Sequence, residues 1–211
     1  AAPAHGAIPA LDPPPIKSEG LAAVTALKEA HPDKVIFADL KTMDAGELEA
    51  DIAFGAGADL VTVLGSAGDS TIAGAVKAAT KHGKGIVVDL IRGATTAGAV
   101  KVAKKRGKGI TDDLIDLADK PARAKEVVAL GAEFVEVHAG LDEQAQEGYS
   151  LDALLRAGEA SGVPFSIAGG VNISTIGSVR DAGARIAVVG GALYGAPDVT
   201  PAAAELRAAI A

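Results

Sequence analysis

A regular alternation of short apolar runs with helical segments is the feature that most constrains how this chain can fold. Apolar runs of strand type, each adjoining a helical segment, occur at Val35–Leu40, Leu60–Leu64, Gly85–Leu90, Phe134–His138, Pro164–Ala168 and Ile186–Val189. Strands joined through helices run parallel, so the pattern predicts a parallel α/β sheet. The strand starts lie roughly one βα unit apart, which favours a (β/α)₈ barrel of TIM type, formed as one domain by residues 1–211. A doubly wound open sheet is the alternative, but no Gly-x-Gly-x-x-Gly turn follows the first strand.

One βα unit of the sequence occurs twice. The segment Thr71–Ile91 recurs as Thr95–Ile115, an offset of 24 residues that spans one helix and one strand. The second copy is the poorer strand, because Thr111 and Asp112 stand where the first copy has the valines that a buried parallel strand prefers. If the second copy and Ala7–Asp12 both form strands, the count of strands reaches eight. Otherwise the copy is a loop or a helix, and the barrel is irregular in its first and middle units.

Local signals mark the ends of several segments. The three prolines at positions 13–15 predict an extended segment ahead of a helix at Leu21–Ala30. Asp69 and Ser70 are predicted to be an N-cap pair for the helix that follows them. Three glycines each stand just past a predicted helix, where a left-handed residue is favoured: Gly57, Gly131 and Gly183.

Composition excludes several classes of protein. The chain has 211 residues and no cysteine, which rules out disulfides and thiol chemistry. Its net charge of −7 argues against nucleic acid as the main partner, and no apolar run approaches the length of a membrane span. The first residues, Ala1–Gly6, lack a basic region followed by an apolar one, so we expect no signal peptide and a cytoplasmic location.

Charged residues gather where the strand Val35–Leu40 ends. Asp39 and Lys41 are two positions apart, so on a strand they point to the same face, and Asp44 follows after the strand. We therefore expect an acid, a base and a second acid to converge at the carboxyl end of this strand. Such a group can hold a cation or stabilise negative charge that develops on a substrate. A surface cluster of salt bridges is the alternative interpretation.

Two further side chains end predicted strands. His138 closes Phe134–His138, and a histidine at the carboxyl end of a barrel strand is well placed for acid–base work. A histidine that only bonds a neighbouring loop fits that position equally well. Asp89 ends the strand Gly85–Leu90, and Asp113 is its counterpart in the second copy. For Asp89, a bond to a loop is at least as good an interpretation as a direct role on a substrate.

Pairs of glycines end the last two predicted strands, Gly169 with Gly170 and Gly190 with Gly191. Glycine lets a phosphate approach the backbone, and the helices that follow direct their N-terminal N–H groups at it. One such pair is weak support, since glycines also serve plain turns. Two pairs on consecutive final strands predict the phosphate site that barrels commonly use.

Two strings carry a resemblance to a known family. Residues 39–47 read Asp-Leu-Lys-Thr-Met-Asp-Ala-Gly-Glu, and residues 138–145 read His-Ala-Gly-Leu-Asp-Glu-Gln-Ala. Both resemble the 3-hexulose-6-phosphate synthases of the orotidine monophosphate decarboxylase suprafamily, and the resemblance extends from Ile16 to the C-terminus. It implies a (β/α)₈ barrel that condenses formaldehyde with ribulose 5-phosphate through an enediolate, with Mg²⁺, in the ribulose monophosphate pathway.

The resemblance also implies a role for each matching residue. Asp39 is expected to bind Mg²⁺, Lys41 to stabilise the enediolate, and His138 to transfer the proton. Asp44 is expected to contact substrate hydroxyl groups in the site of a neighbouring subunit, which implies a homodimer. The four glycines named above would hold the phosphate, and Asp12 corresponds at best to the substrate-binding acid that ends the first strand.

The chain departs from the family pattern at its start and in its middle. A first helix and a second strand, whose Glu is another Mg²⁺ ligand, have no counterpart before Pro15, and the family has the repeated unit once. A 3-keto-L-gulonate-6-phosphate decarboxylase-like enzyme shares the scaffold and the enediolate, but its relatives carry Arg where this chain has Leu141. The alternative from another class is a catalytically inactive or engineered barrel that still binds sugar phosphate.

Overall fold

Strands and helices alternate along the chain in the computed structural model, which describes residues 8–89, 111–114 and 119–210. The strands are β1 (Ala10–Leu11), β2 (Phe37–Thr42), β3 (Leu60–Leu64), β4 (Gly85–Asp89), β5 (Thr111–Asp113), β6 (Phe134–His138), β7 (Phe165–Ala168) and β8 (Ile186–Val188). The helices are α1 (Pro13–Glu19), α2 (Ala22–Ala30), α3 (Gly46–Gly55), α4 (Asp69–His82), α5 (Lys120–Leu130), α6 (Leu141–Gln144), α7 (Leu151–Ser161), α8 (Ile176–Asp181), α9 (Gly191–Tyr194) and α10 (Val199–Ala209). These elements fall into two compact units, of which the first contains β1–β4 and the second contains β5–β8. None of the helices described is long and apolar enough to cross a membrane.

In the first unit, strands β1 to β4 lie side by side in chain order, and each neighbouring pair is parallel. Strands β3 and β4 pair residue for residue, whereas the register between β2 and β3 shifts between Ala38 and Thr42. Apolar residues fill the space between these strands and helix α4, as a parallel sheet covered by helices requires. The largest fully buried side chains of this unit include Ile36, Val61, Val63, Ile72 and Val76.

In the second unit, strands β5 to β8 also run parallel in chain order. Strand β5 pairs with β6 from Thr111 opposite Phe134 to Asp113 opposite Glu136. The end of the second copy of the repeat therefore forms a strand, although residues 95–110 and 115 lie outside the described part. Side chains that are fully buried in this unit include Val135, Val137, Ile167 and Ile176.

The predicted alternation of parallel strands and helices is confirmed. All six predicted strands are present, with described bounds within two residues of those expected, and β1 and β5 bring the described strands to eight. The glycines just past helices take left-handed backbone conformations, with φ of 110° at Gly57, 108° at Gly131 and 80° at Gly183. A single domain over the whole chain stays a prediction.

The prediction of an extended segment at the three prolines is wrong. Pro13 is the first residue of helix α1, which ends at Glu19. Proline lacks an N–H, and the N–H groups of the first helical turn have no partner within the helix, so proline is tolerated there. Its fixed φ also suits the helix start. Helices α1 and α2 together connect β1 to β2.

The prediction that Asp69 and Ser70 cap helix α4 from outside is also wrong. Asp69 is the first residue of that helix, and Gly68 before it takes the N-cap position in an extended conformation. The Gly68 carbonyl accepts the N–H groups of Thr71 and Ile72. A carboxylate in the first turn interacts favourably with the positive end of the helix dipole, so Asp69 still suits this end of the helix.

Candidate active site

Lys41 lies at the carboxyl end of β2 in a backbone conformation that is unusual for a strand. Its φ is +47°, and the register of β2 against β3 shifts at this point. The N–H of Lys41 donates to the Thr62 hydroxyl at 2.7 Å. This irregularity breaks the simple alternation of side chains that the sequence pattern assumes. The Lys41 ammonium nevertheless reaches Asp39, so the expected pairing of these two residues is found.

The ammonium of Lys41 is held between two carboxylates. Its Nζ lies 3.1 Å from Asp39 Oδ2 and 2.5 Å from Asp89 Oδ2. Asp39 is 9% exposed and Asp89 only 1% exposed, so both carboxylates are buried. The Thr62 hydroxyl donates to Asp39 Oδ1 at 2.6 Å and fixes that carboxylate from the neighbouring strand. A buried, oriented positive charge of this kind can stabilise negative charge that forms on a bound molecule.

For Asp89 the sequence left open a bond to a loop or a direct role on a substrate, and in the structure Asp89 lies in this cluster. It ends β4, two strands away from β2, and its carboxylate contacts Lys41 directly. Thr62 was not identified from the sequence, although a hydroxyl within the apolar strand Leu60–Leu64 was a usable signal. A polar side chain inside a buried strand needs a partner, and here the partners are Asp39 and the Lys41 backbone.

The expectation that Asp44 converges with Asp39 and Lys41 is wrong within this chain. Asp44 is exposed, and its carboxylate accepts the N–H of Ala45 at 2.7 Å. The chain turns sharply here, because Ala45 has a φ of +52° and α3 begins at Gly46. Asp89 supplies the second carboxylate that Asp44 was expected to supply. A role for Asp44 in a neighbouring subunit stays a prediction.

Asp12 follows β1 and is half-buried. It takes the N-cap position of α1, and its carbonyl accepts the N–H of Ile16 at 3.3 Å. Strands β1 to β4 are parallel, so Asp12, Asp39 and Asp89 all lie towards the carboxyl ends of the strands of the first unit.

The residues of the first unit offer few ligands for a metal ion. Across the described ranges, no group of three or more His, Cys, Asp or Glu side chains is arranged to hold one. Asp39 presents one carboxylate, already bonded to Thr62 and paired with Lys41. Mg²⁺ is commonly bound through one or two carboxylates, with the remaining ligands supplied by substrate oxygens and water. Asp39 therefore fits a magnesium site that a substrate completes.

In the second unit, His138 is the last residue of β6 and is half-buried. It stands opposite Ala168, the last residue of β7, and the N–H of Ala139 donates to the Ala168 carbonyl at 3.0 Å. His138 therefore lies beside the start of the glycine turn, defined as Gly169–Val171. Its neighbour Gln144 donates to the Ala139 carbonyl at 2.8 Å and fixes the loop that follows the histidine.

The glycine turn needs its glycines for geometric reasons. Gly169 has a φ of 110°, and a Cβ at this position would lie 2.6 Å from the Ala139 carbonyl oxygen. Gly170 has a φ of 70°. Within the described part of the chain, the N–H groups of Gly170 and Val171 donate no hydrogen bond. The turn thus presents backbone N–H groups that can donate hydrogen bonds to an anion.

The second glycine pair follows the neighbouring strand. Strand β8 pairs with β7, with Val188 opposite Ala168, and helix α9 begins at Gly191. The Gly190 carbonyl accepts the N–H groups of Leu193 and Tyr194. Both predicted glycine pairs therefore lie at the carboxyl ends of adjacent strands of the second unit.

Comparisons with known proteins agree with this geometry. Residues 14–206 match the orotidine 5'-phosphate decarboxylase / HUMPS family. A 3-hexulose-6-phosphate synthase of Mycobacterium gastri is 61% identical over 201 residues, which cover 95% of this chain and 86% of that protein. A crystal structure of a 3-hexulose-6-phosphate synthase, also 61% identical, superimposes with a TM-score of 0.74 over 96% of this chain and 86% of the other. A 3-keto-L-gulonate-6-phosphate decarboxylase from Vibrio cholerae is 28% identical, with a TM-score of 0.64 over 95% and 83% of the two chains. The fold class is thus the (β/α)₈ barrel of these enzymes, as predicted.

Proposed function

Because this chain belongs to the orotidine 5'-phosphate decarboxylase / HUMPS family, we propose that it condenses formaldehyde with ribulose 5-phosphate to give 3-hexulose 6-phosphate. It is then an aldehyde-lyase, and its substrates are a sugar phosphate and a one-carbon aldehyde. The observation that carries the proposal is the buried ammonium of Lys41 between Asp39 and Asp89.

The reaction presents one main physical problem. A proton leaves the carbon next to the ketone of ribulose 5-phosphate, and negative charge then spreads over two adjacent oxygens of the enediolate. A fixed positive charge lowers the free energy of that intermediate most when it is already oriented and shielded from water. Lys41 meets this requirement, because two buried carboxylates hold its ammonium in place before substrate arrives. The enediolate carbon then forms the new bond to the formaldehyde carbon, and the aldehyde oxygen takes up a proton.

We assign the proton transfer to His138, which ends β6 beside the glycine turn. Imidazole exchanges protons near neutral pH, which suits both removal of the proton from the sugar and its return to the product. The substrate phosphate is assigned to the N–H groups of the glycine turn and to the turn at Gly190 and Gly191. Backbone N–H groups bind a phosphate without adding a second titrating side chain.

Mg²⁺ is proposed as the cofactor, with Asp39 as its ligand from this chain. When bound, the ion would supply further positive charge for the two oxygens of the enediolate. The second-strand Glu that the family uses has no counterpart here, so the ion depends on substrate oxygens and water for most of its ligands. The protein should therefore bind Mg²⁺ only weakly in the absence of substrate. Calorimetric titration of the protein with MgCl₂ measures this affinity.

A homodimer is proposed as the working assembly. Asp44 is exposed and lies outside the Lys41 cluster, as expected of a residue that serves a neighbouring subunit. Three apolar side chains close to it in sequence are more than half exposed, and a second copy would bury them. They are Met43, Leu48 and Ile52. A cytoplasmic location stays a prediction from the sequence.

The test is formaldehyde consumption with ribulose 5-phosphate and MgCl₂. The unaltered chain should consume formaldehyde only when the sugar phosphate is present. Lys41→Ala should lose activity by about a hundredfold or more, the cost of removing a group that stabilises a developing oxyanion. Lys125→Ala, on the exposed face of α5, is the matched control and should keep full activity. If the folded chain consumes no formaldehyde, the proposal is wrong, and an inactive barrel that binds sugar phosphate becomes the better interpretation.

A 3-keto-L-gulonate-6-phosphate decarboxylase-like activity is the second candidate, because that reaction also passes through an enediolate. Leu141 stands where those relatives carry Arg, and its side chain is 79% exposed at the start of α6. An apolar side chain cannot supply the charge that an arginine would bring to a leaving carboxylate. Release of CO₂ from 3-keto-L-gulonate 6-phosphate should therefore be much slower than formaldehyde consumption. If CO₂ release is the faster reaction, the decarboxylase activity becomes the better candidate.

A further inference from the structure

Side chains hold the carbonyl groups of the two glycines in the glycine turn. The Tyr149 hydroxyl donates to the Gly169 carbonyl oxygen at 2.9 Å. The next carbonyl, that of Gly170, accepts the Asn172 side-chain amide at 3.1 Å and the Thr175 hydroxyl at 3.2 Å. Asn172 and Thr175 follow the turn directly, whereas Tyr149 reaches it from the loop between α6 and α7.

Fixing these carbonyls also fixes the N–H groups that share their peptides. A trans peptide carries its C=O and N–H on opposite sides, and none of the described peptide bonds is cis. The Gly169 carbonyl shares its peptide with the Gly170 N–H, so a carbonyl drawn to Tyr149 turns that N–H away from the phenol. The Gly170 carbonyl orients the Val171 N–H in the same way.

Without such bonds the turn would be free to rotate. Glycine has no Cβ, so its peptide planes move at little cost between conformations that other residues rarely adopt. Gly169 and Gly170 are in such conformations, at φ of 110° and 70°. A group that orders these peptides before the ligand arrives reduces the entropy lost on binding.

Tyr149 is suited to this task by its place in the fold. It is the one half-buried residue of the segment 145–150, whose other members are exposed. A Cβ on Gly170 would lie 2.9 Å from the phenol oxygen, so the side chain is packed against the turn. Burial, and after it the charge of Glu143, raises the pKa of the Tyr149 phenol, which therefore stays protonated and able to donate.

We propose that Tyr149 is a positioning residue for phosphate binding, whose hydroxyl holds the Gly169 carbonyl so that the Gly170 N–H faces the substrate phosphate. The proposal rests on the proposed function, because it takes the glycine turn as the phosphate site. The proposal gives the Tyr149 hydroxyl a contact with the turn and none with a reacting atom. Its loss should therefore weaken the binding of a phosphate and leave the chemical step nearly unchanged.

The variant Tyr149→Phe removes the hydroxyl and keeps the ring that packs on Gly170. Its KM for ribulose 5-phosphate should rise about three- to tenfold, the usual worth of one hydrogen bond. Its kcat should stay within about twofold of the unaltered value, because the lost interaction is the same in ground and transition states. The KM for formaldehyde should not change. Inorganic phosphate, titrated by calorimetry without other substrates, should bind more weakly by the same factor as the sugar phosphate.

Ser161→Ala is the matched control. The Ser161 hydroxyl donates to the Gly158 carbonyl at 2.6 Å in the last turn of α7, so its loss removes a comparable bond in the same unit, away from the turn. If Ser161→Ala raises the KM for ribulose 5-phosphate as much as Tyr149→Phe does, a general loss of stability explains both results and the proposal is overturned.

The titration separates this proposal from the proposed function. If the unaltered chain binds phosphate and Tyr149→Phe binds it equally well, the positioning role is wrong while the phosphate site stands. If the unaltered chain binds neither phosphate nor ribulose 5-phosphate, the site itself is wrong and the role of Tyr149 falls with it. A tenfold fall in kcat at unchanged KM would also overturn the proposal, since it would place Tyr149 in the chemical step.

Discussion

The Lys41 cluster of the first unit and the glycine turn of the second unit are built from different parts of the chain. The cluster consists of side-chain charges from two strands that are not neighbours, Lys41 with Asp39 on β2 and Asp89 on β4. The turn consists of backbone groups from consecutive residues, Gly169–Val171, held by hydrogen bonds to their carbonyls. The first arrangement suits charge that forms during a reaction, and the second suits charge that a ligand already carries.

This difference predicts how each region should respond to change. Removal of a charge from the cluster should lower kcat, because the enediolate is stabilised only after the proton has left. Distortion of the turn should raise KM, because the phosphate is bound equally before and during the reaction. Substitutions in the two regions should therefore separate into two kinetic classes, and a structural ion cluster at the amino ends of the first unit's strands should affect neither parameter.

After Lys41→Ala, the largest effect is expected from Asp89→Asn. The variant keeps the shape of a side chain that is 1% exposed but removes a charge that helps to hold the Lys41 ammonium. A hydrogen bond to a charged group contributes about 1.5–3 kcal/mol, so kcat should fall roughly ten- to a hundredfold. Steady-state kinetics measures this. Asp33→Asn, whose carboxylate is 75% exposed, is the control and should be unaffected. A change confined to KM would show that Asp89 belongs with the binding groups.

A smaller effect, in the other kinetic class, is expected from Gly169→Ala. The added Cβ would lie 2.6 Å from the Ala139 carbonyl, at a φ of 110° that alanine rarely adopts. Strain of this kind costs about 1–3 kcal/mol, so the turn should shift and the KM for ribulose 5-phosphate should rise by about tenfold. Gly177→Ala is the control, since that glycine lies in α8 with open space around its added Cβ. An unchanged KM for Gly169→Ala would contradict the assignment of the turn to phosphate.

No kinetic effect is expected from Asp59→Asn, which should change stability alone. Asp59 precedes β3, accepts the Ile36 N–H at 2.8 Å, and pairs with Lys28 at 2.9 Å and with Lys84. Burial raises the pKa of Asp59, but the bonds from Lys84, the Ile36 N–H and Lys28 outweigh it and hold the pKa below its ordinary value of 3.8. The free energy of unfolding should fall by about 1–3 kcal/mol in the variant near neutral pH.

The sign of the pH dependence follows from that lowered pKa. A carboxyl group whose pKa is lower in the folded state stabilises the protein above the unfolded value, and this contribution is lost as the pH falls through the folded value. The stability that Asp59 contributes should therefore be complete above about pH 4 and disappear on further acidification. Urea unfolding of both proteins from pH 7 to pH 3 measures this. Curves that stay parallel over the whole range would contradict the account.

The sequence predicted the fold well because the periodicity of its residues is local. The strands Leu60–Leu64 and Phe134–His138 have the bounds that their apolar runs predict. The errors were also local in origin. The prolines at 13–15 were interpreted as an extended segment, but they stand in the first turn of helix α1, where proline is tolerated. At Asp69 the cap was placed one residue too late, because the glycine before it has no side chain that signals a cap.

The candidate site was only partly predictable, because some of its contacts are local in sequence and others form between strands. The glycine turn and the pair Asp39 with Lys41 lie within short stretches of sequence. Asp89 and Thr62 join the cluster through strands that pair in three dimensions, and no spacing along the chain indicates which of them reaches Lys41. Asp44 was misplaced because its carboxylate accepts the N–H of Ala45 in a turn with positive φ, and the sequence pattern does not indicate this turn.

The role of Lys41 is tested most directly by proton exchange on ribulose 5-phosphate in the absence of formaldehyde. In heavy water, the hydrogen next to the ketone should be replaced by deuterium when the unaltered chain is present, because the enediolate forms and is protonated again by solvent-derived deuterons. Lys41→Ala should exchange that hydrogen at least a hundredfold more slowly, on the order expected for loss of an oxyanion-stabilising group, while Lys125→Ala exchanges it normally. Exchange by Lys41→Ala at the rate of the unaltered chain would contradict the claim that the buried ammonium stabilises the enediolate.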